Sequence, residues 1–335
     1  MMSFLTNRKQ RVKIEGDISE ETMITCGVPQ GSPLSCVLFL IYVSDLPKWL
    51  SNGFTQSYAD DTFHDYSNKD SKEVVRHLET EAMSLLNYFR INELVANPGK
   101  TTFIMFAPNK LNNTRFQVNI DGKCIEESDS AKMLGICIQS SLSWEKHTLQ
   151  VISKMNHGLA LMRQLRGTLT KDQMKQIGDG LVMSHARYGI AVYLSDQACI
   201  NQDSQHHKNI TQIQTKQNDL MRMIVNKTRG DRYSREQLLK DCNMKSINHI
   251  LCESILCELW GAFSNNRETI TNEFQSNISS RNGPTLRTVT DQQAFASIAA
   301  QLWNRTSSSL RQLNITNNQA RSEIRETIKR YIPKI

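Results

Sequence analysis

"SYADDTFHD" runs from Ser57 to Asp65 and sets two carboxylates, Asp60 and Asp61, side by side between residues typical of strands. The residues on either side of the pair favour extended backbone, so this stretch predicts a β-hairpin with the carboxylates at its tip. Such a pair has two explanations. Aspartate favours turns because its side chain bonds its own backbone, whereas two like charges on a rigid hairpin become favourable when a divalent cation bridges them.

The metal interpretation predicts Mg²⁺ rather than zinc, because carboxylates are hard oxygen ligands. His64 follows Asp61 by three residues and is interpreted as a strand side chain. Turn chemistry and a Mg²⁺ site both stay open on these residues alone.

A second stretch that begins with several turn residues, "GVPQGSPLSCVLFLIYVSDLP", runs from Gly27 to Pro47. Two glycines and two prolines within seven residues predict a tight turn, and Ser32-Pro33 then offers an N-cap with proline at the first helical position. The helix is apolar on nearly every face, so we expect it to be buried. Its free N–H groups at residues 31–34 suit a phosphate, although a simple connecting loop explains the same composition.

The chain has two compositional parts, and its 335 residues allow two or three modules. Up to about residue 138, turn signals separate β-prone runs: "TFIMF" (Thr102–Phe106), "RFQVNI" (Arg115–Ile120) and "KMLGICI" (Lys132–Ile138). After Trp144, apolar spacings of three and four predict helices. The expected helices lie between Ser143 as N-cap and Gly167, and over Thr170–Tyr188, Ile210–Val225, Ser234–Asp241 and Ser246–Phe263. A loop is predicted over Phe274–Arg287.

The composition favours a polyanionic partner and gives no sign of export. Forty Lys and Arg face 33 Asp and Glu, a net charge of +7. The N-terminus lacks the pattern of a signal peptide, and the longest apolar run, "CVLFLIYV" from Cys36 to Val43, is shorter than the roughly 20 residues that span a bilayer. The eight cysteines lack a disulfide-rich spacing and are interpreted as buried thiols of an intracellular protein.

Positive charge concentrates from Lys208 to Lys245, where nine Lys or Arg face four Asp or Glu. Phosphate binding and an ordinary solvated helix face explain such a run equally well. We do not assign a zinc site to Cys242, His249, Cys252 and Cys257, because their spacing fits no standard zinc pattern.

The order of these motifs carries a resemblance. Gly27 to Ser35, then Asp45-Leu46-Pro47, then Tyr58-Ala59-Asp60-Asp61 resembles motifs B and C of the reverse transcriptases of non-LTR (LINE-like) retrotransposons. Further similar segments are "NELVANPGKT" (Asn92–Thr101, motif D), "KMLGICIQSSLSW" (Lys132–Trp144, primer grip), "ARYGIAVY" (Ala186–Tyr193, thumb region) and "AFASIAAQLWN" (Ala294–Asn304, C-terminal motif).

The resemblance implies an α+β fold: a partial right-hand polymerase palm, with an antiparallel sheet and helices, followed by a mainly α-helical thumb and C-terminal region. The expected divisions are 1–138 for the palm, 139–265 for the thumb-like region and 266–335 for the C-terminal region. It also implies nucleotidyl transfer from a dNTP to a primer 3′-hydroxyl on an RNA template, with Mg²⁺ or Mn²⁺ as cofactor and an RNA–DNA hybrid as partner.

The resemblance assigns roles residue by residue. Asp60 becomes the main metal ligand and Asp61 an assisting one, while Lys100 meets or protonates the pyrophosphate leaving group; a solvated turn lysine is the alternative. The remaining assignments are Gln30, Gly31 and Ser32 for the template and nucleotide pocket, Tyr58 as support for the metal hairpin, and Leu134 and Gly135 for the primer grip.

One element of the family pattern has no counterpart here. The family carries a motif A upstream of motif B, with another metal-binding aspartate, whereas 26 residues precede Gly27 and Asp17 is not a plausible substitute. We therefore expect a C-terminal fragment that is inactive alone. The alternatives are a non-catalytic nucleic-acid-binding remnant and an inert fragment whose palm sheet exposes an edge.

Overall fold

The computed structural model describes residues 2–106, 115–195, 205–265, 276–277, 285–286, 294–312 and 315–331. Tertiary contacts divide the chain into two compact units, residues 1–128 and 129–335. Each unit has a hydrophobic core of its own.

The first unit combines antiparallel strand pairs with helices. Its helices are α1 (Met2–Leu5), α2 (Pro33–Tyr42), α3 (Ser71–Ile91) and two short 3₁₀ helices, Leu46–Trp49 and Pro98–Lys100. Its strands are β1 (Arg8–Gln10), β2 (Lys13–Ile14), β3 (Asp17–Ile18), β4 (Thr22–Ile24), β5 (Phe54–Tyr58), β6 (Asp61–Asp65), β7 (Gln117–Ile120) and β8 (Lys123–Glu126). β1 pairs with β4, β2 with β3, β5 with β6 and β7 with β8. Mixed helix and antiparallel sheet is therefore confirmed at this coarse level.

The core of the first unit lies beneath α3. Val74 of α3 packs with Val118 of β7 and with Phe103 and Met105. The prediction of a strand over Thr102–Phe106 was wrong, because only one isolated bridge, Phe103 to Glu127, forms in the described part of this segment. The side chains of Phe103 and Met105, two positions apart, are nevertheless both buried in the core. Their alternation is therefore due to packing and not to hydrogen bonds with a neighbouring strand.

Helix α2 begins at Pro33, as its sequence predicts, but it is not buried. Ser32 occupies the N-cap position without a side-chain capping bond. Five of its apolar side chains are between 37% and 64% exposed: Leu34, Val37, Leu40, Ile41 and Tyr42. The prediction of a buried helix was wrong because, within the first unit, the core forms against α3 and offers α2 no facing layer.

The second unit is mainly helical. It contains a hairpin of β9 (Ser130–Met133) and β10 (Ile136–Gln139), followed by α4 (Glu145–Gln164), α5 (Lys171–Gly178), a π-helical turn (Asp179–Met183), α6 (Ser184–Arg187), α7 (Ile190–Tyr193), α8 (Gln205–Ile224), α9 (Arg235–Asp241) and α10 (Ile247–Ser264). The short pair β11 (Ser276–Asn277) and β12 (Thr285–Leu286) comes next, then α11 (Ala294–Asn304), α12 (Ser308–Arg311) and α13 (Asn317–Tyr331).

The helix starts largely follow the sequence signals. Thr170 and Ser234 form capping boxes with Gln173 and Gln237, and Ser246 caps α10. The exception is α4, whose N-cap is Trp144 rather than Ser143. There the Gln139 side chain accepts from the Lys146 N–H at 2.6 Å, which satisfies a first-turn donor in place of serine.

A contiguous core fills the second unit. α4, α8 and α10 are its largest contributors together with α11, whose Trp303 is fully buried within it. Close approach depends on Gly158 of α4: a Cβ there would lie 2.5 Å from the Leu181 carbonyl oxygen. The π-helical turn therefore packs directly on the α4 backbone.

The structure also bears on the predictions for the cysteines and for the loop. The prediction of buried thiols was wrong for Cys26, Cys36 and Cys124, which are exposed; Cys137 and Cys242 are buried. The predicted loop over Phe274–Arg287 lies largely outside the described residues. Among the helices that are described, none has the length and apolar composition to cross a membrane.

Candidate functional site

The two aspartates lie at the tip of a tight hairpin in the first unit. The register pairs Tyr58 with Asp61, which leaves Ala59 and Asp60 as a two-residue turn. Ala59 adopts a left-handed backbone at φ 54°, a conformation that short hairpin turns require. Asp60 and Asp61 are both exposed, so the predicted hairpin with carboxylates at its tip is confirmed.

The tip presents oxygen ligands of the kind that Mg²⁺ prefers. Mg²⁺ is commonly held by one or two carboxylates, with substrate phosphates and waters completing the shell. The Asp60 and Asp61 carboxylates fit that pattern as a partial ligand set. Across the described residues, no group of three or more His, Cys, Asp or Glu side chains is placed to hold a metal ion. Tyr58 is 66% exposed beside the tip.

Helix α3 fixes the opposite end of the hairpin through polar contacts that the sequence did not reveal. Glu81 is buried, and its carboxylate accepts from the Ser51 hydroxyl and from the Ser51 N–H at 3.1 Å. His77 contacts the Asn52 carbonyl at 3.2 Å. Gly53 is required by close packing, since a Cβ would lie 2.3 Å from the Asp65 carbonyl oxygen. The sequence shows Glu81 as an acid in the middle of an amphipathic helix, but no spacing rule predicts that it contacts Ser51.

His64 is a strand side chain within β6, as predicted. Its Nδ1 contacts the Thr55 hydroxyl at 2.8 Å across the hairpin, and its Nε2 has no hydrogen-bond partner among the described residues. Burial lowers the pKa of His64, partly offset by the Glu81 carboxylate. The imidazole therefore favours its neutral form.

The loop before α2 carries three of the predicted nucleotide-pocket residues. Gln30 and Gly31 are exposed, Gly31 adopts φ 83°, and Ser32 ends the loop as the N-cap. The Arg8 guanidinium donates to the carbonyl oxygens of Cys26 and Gly27, which ties the start of this loop to β1. The loop thus has anchored ends, with Gln30 exposed and Ser32 half-buried.

Lys100 ends the 3₁₀ helix that follows α3 and is exposed. Its backbone N–H donates to the Asn97 carbonyl at 3.0 Å, and its ammonium has no ion pair with a described carboxylate. This placement suits both a mobile cation and a solvated turn lysine.

The predicted primer-grip residues form the turn of the β9–β10 hairpin. Met133 pairs with Ile136, so Leu134 and Gly135 are the two turn residues, with φ 47° and 85°. The run "KMLGICI" is therefore two strands and a turn, not one strand. The Tyr188 hydroxyl donates to the Leu134 carbonyl oxygen at 2.6 Å, which anchors the tip to the segment between α6 and α7. This hairpin belongs to the second unit, whereas the aspartate hairpin belongs to the first.

The basic run of the second unit is partly neutralised. Arg229 binds the Asp219 carboxylate at 2.6 Å, Arg222 also reaches Asp219, and Lys245 pairs with Glu253. Lys227 lies over the Tyr233 ring at 5.6 Å. No ion pair to a described carboxylate forms at five other cations of the run: Lys216, Lys227, Arg232, Arg235 and Lys240.

Residues 1–138 match the family described as reverse transcriptase (RNA-dependent DNA polymerase), a span that includes the aspartate hairpin and the turn of the β9–β10 hairpin. This match confirms the reverse transcriptase domain that the motifs indicated, and the segments assigned beyond residue 138 stay predictions.

Individual relatives come from Drosophila melanogaster. The probable RNA-directed DNA polymerase from transposon BS is 24% identical over 237 residues, 67% of this chain and 25% of the relative. The probable RNA-directed DNA polymerase from transposon X-element is 24% identical over 232 residues, 67% of this chain and 24% of the relative. The RNA-directed DNA polymerase from mobile element jockey is 25% identical over 201 residues, 57% and 22% of the two chains. The chain thus spans about a quarter of the length of these relatives, and no solved structure matches it.

Proposed function

We propose that this chain supplies the metal-binding hairpin and the nucleic-acid-holding parts of an RNA-directed DNA polymerase. The observation that carries the proposal is the Tyr58-Ala59-Asp60-Asp61 tip, exposed on a rigid hairpin inside the span that matches the reverse transcriptase family. In the proposed reaction the primer 3′-hydroxyl attacks the α-phosphate of a dNTP opposite an RNA template, and pyrophosphate leaves.

The residues of the chain take distinct parts in this reaction. Asp60 and Asp61 hold Mg²⁺ or Mn²⁺, which when bound stabilises charge on the attacking and leaving oxygens. Lys100 neutralises or protonates the departing pyrophosphate. The loop residues Gln30, Gly31 and Ser32 face the template and nucleotide, and Tyr58 supports the tip. Leu134 and Gly135 hold the primer strand.

The proposed organisation follows the family pattern: palm over 1–138, thumb over 139–265 and a C-terminal region over 266–335. Support for the thumb comes from the helices α4 to α10 and from the unpaired cations on α8 and α9 and in the segment joining them. A helical unit with cationic residues suits the phosphates of an RNA–DNA hybrid.

We further propose that this chain alone does not extend a primer. Two-metal transfer needs a set of carboxylates that clamp both ions, and no third acid joins Asp60 and Asp61 among the described residues. Primer extension on an RNA template with Mg²⁺ or Mn²⁺ tests this directly. We expect no product above a no-protein control, and extension that depends on Asp60 would overturn the proposal.

Metal binding is tested separately from extension. We expect Mn²⁺, followed by electron paramagnetic resonance, to bind the unmodified chain and to bind Asp60→Asn and Asp61→Asn at least tenfold more weakly. Asp65→Asn is the matched control, because Asp65 is an exposed carboxylate at the other end of the same hairpin. Equal loss in all three variants would show diffuse charge attraction rather than a site at the tip.

A non-catalytic nucleic-acid-binding protein is the second candidate, favoured by the same unpaired cations. It predicts salt-dependent binding to an RNA–DNA hybrid that survives Asp60→Asn. If the chain binds no hybrid even at low salt, both candidate functions are excluded and an inert fragment is favoured.

A further inference from the structure

The second unit contains a cavity of about 300 Å³ beside the turn of the β9–β10 hairpin. Gly135 of that turn borders it, together with Tyr188, whose hydroxyl holds the Leu134 carbonyl. The rest of the wall includes His147 and Lys154 of α4 and His185 of α6. Polar groups from three elements thus meet next to the predicted primer grip.

His147 has one nitrogen fixed by the hairpin and one without a partner. Its Nδ1 accepts the Cys137 backbone N–H at 3.2 Å. A backbone N–H can only donate, so the ring proton of neutral His147 lies on Nε2. The residue is 4% exposed, and Nε2 has no hydrogen-bond partner among the described residues. A buried donor of this kind is normally satisfied in proteins, and a bound group is one way to satisfy it.

The wall is cationic and lacks acid. Lys154 is exposed and forms no ion pair with a described carboxylate, and no aspartate or glutamate lines the cavity. His185 adds a second imidazole. Two imidazoles and an ammonium with no opposing carboxylate favour an anion with several acceptor oxygens, of which phosphate is the commonest.

Packing brings these groups together. The glycine at position 158 lets the π-helical turn contact the α4 backbone, and α6, with His185, follows that turn directly. π-helical turns are frequent at functional sites. The cavity wall is therefore built from the α4 face and the segment just after the π-helical turn.

We propose that this cavity binds a backbone phosphate of the nucleic-acid strand held at Leu134 and Gly135. Lys154 supplies the charge, and His147 and His185 donate hydrogen bonds. The proposal rests on the proposed function, since it is that function which places a strand at the hairpin.

The first experiment compares two double variants that each remove one lysine and one histidine. Lys154→Gln with His185→Asn removes cavity groups, whereas Lys146→Gln with His157→Asn removes exposed groups of α4 outside the cavity. Affinity for a fluorescein-labelled 16-base-pair RNA–DNA hybrid is measured by anisotropy over a salt series. We expect at least a tenfold loss for the cavity variant, with a salt slope smaller by about one, and less than a twofold loss for the control.

A second measurement needs no variant that might fail to fold. The ring ¹⁵N resonances of His147 and His185 in the unmodified chain are followed as the hybrid, dATP or inorganic phosphate is added. We expect the hybrid to shift both resonances at concentrations where dATP and inorganic phosphate do not, and to leave His157 unchanged.

The outcomes separate this proposal from the proposed function. If the unmodified chain binds no hybrid, the proposed nucleic-acid partner fails and this proposal fails with it. If the hybrid binds but both double variants weaken equally, or neither histidine shifts, the cavity assignment is overturned while the proposed function stands. Equal shifts with dATP or inorganic phosphate would assign the cavity to a small phosphate compound instead of a strand.

Discussion

The two units of this chain bury their apolar residues in different ways. In the second unit, helices from α4 to α13 share one contiguous core in which Met155, Leu251 and Trp303 are fully buried. In the first unit, the buried cluster consists of four residues around α3, and the most apolar helix, α2, leaves five of its apolar side chains exposed. Apolar burial therefore stabilises the second unit far more than it stabilises the first.

Polar contacts from α3 compensate for the small core of the first unit. Glu81 binds Ser51, His77 binds the Asn52 carbonyl, and the buried Tyr88 hydroxyl donates to the Asp45 carboxylate at 2.7 Å. All three hold the segments that flank the aspartate hairpin. An exposed apolar surface with polar anchors is typical of a surface used for interaction, whereas the second unit has the burial pattern of a self-contained core.

The largest expected effect compares a leucine from each unit. Leu251→Ala removes a fully buried side chain of the second unit and is expected to cost about 2–5 kcal/mol of unfolding free energy. Leu40→Ala removes a side chain of α2 that is 52% exposed and is expected to change stability by no more than about 0.5 kcal/mol. Denaturant-dependent hydrogen exchange with mass spectrometry reads each unit separately. A large cost for Leu40→Ala in the isolated chain would show that α2 is covered after all.

A smaller effect tests the close approach of α4 and the π-helical turn. Gly158→Ala places a Cβ 2.5 Å from a backbone oxygen and is expected to cost about 1–3 kcal/mol, because that backbone cannot move aside cheaply. Gly261→Ala, in α10, meets nothing within 4 Å and is expected to stabilise the unit by about 0.5–1 kcal/mol, because alanine is the better helix former. Opposite signs of the two changes in unfolding midpoint confirm the packing argument; a loss of stability in both would contradict it.

The polar anchoring of the first unit predicts a further, smaller effect. Glu81→Gln replaces an acceptor that faces two Ser51 donors and is expected to cost about 1 kcal/mol, with faster hydrogen exchange at the base of the hairpin. Glu73→Gln breaks the exposed Glu73–Arg76 pair and is expected to change stability by less than about 0.5 kcal/mol. Equal effects would mean that Glu81 acts as an ordinary surface acid.

Local structure was predicted from the sequence more accurately than the burial of side chains was. The hairpin at Asp60-Asp61 and the helix starts at Thr170, Ser234 and Ser246 follow from short-range chemistry, and all are present. The exposure of α2 did not follow, because an apolar helix reveals that it favours burial but not which surface covers it. The contacts of Glu81 with Ser51 and of Tyr188 with Leu134 join residues 30 and 54 positions apart, beyond the reach of any periodicity.

The smallest expected effect is a pH dependence carried by one histidine in each unit. Burial lowers the pKa of His147 in the second unit below 6.5, with the Lys154 charge acting in the same direction, and burial lowers the pKa of His64 in the first unit. The unfolded chain then binds these protons more readily. The stability that each neutral histidine contributes is full above about pH 6.5 and is lost as pH falls towards the lowered pKa of the folded state.

Asparagine substitutions assign this pH dependence to its source. The His147→Asn side chain is able to accept the Cys137 N–H through its amide oxygen and does not titrate, so it should flatten the dependence of the second unit between pH 7.5 and 5.5 and leave the first unchanged. His64→Asn should do the reverse. Exposed His157 is the control, and His157→Asn should alter neither unit. Because hydrogen exchange reports on each unit separately, a change in both units from one substitution would show that they unfold together, which would contradict the independence of the two cores.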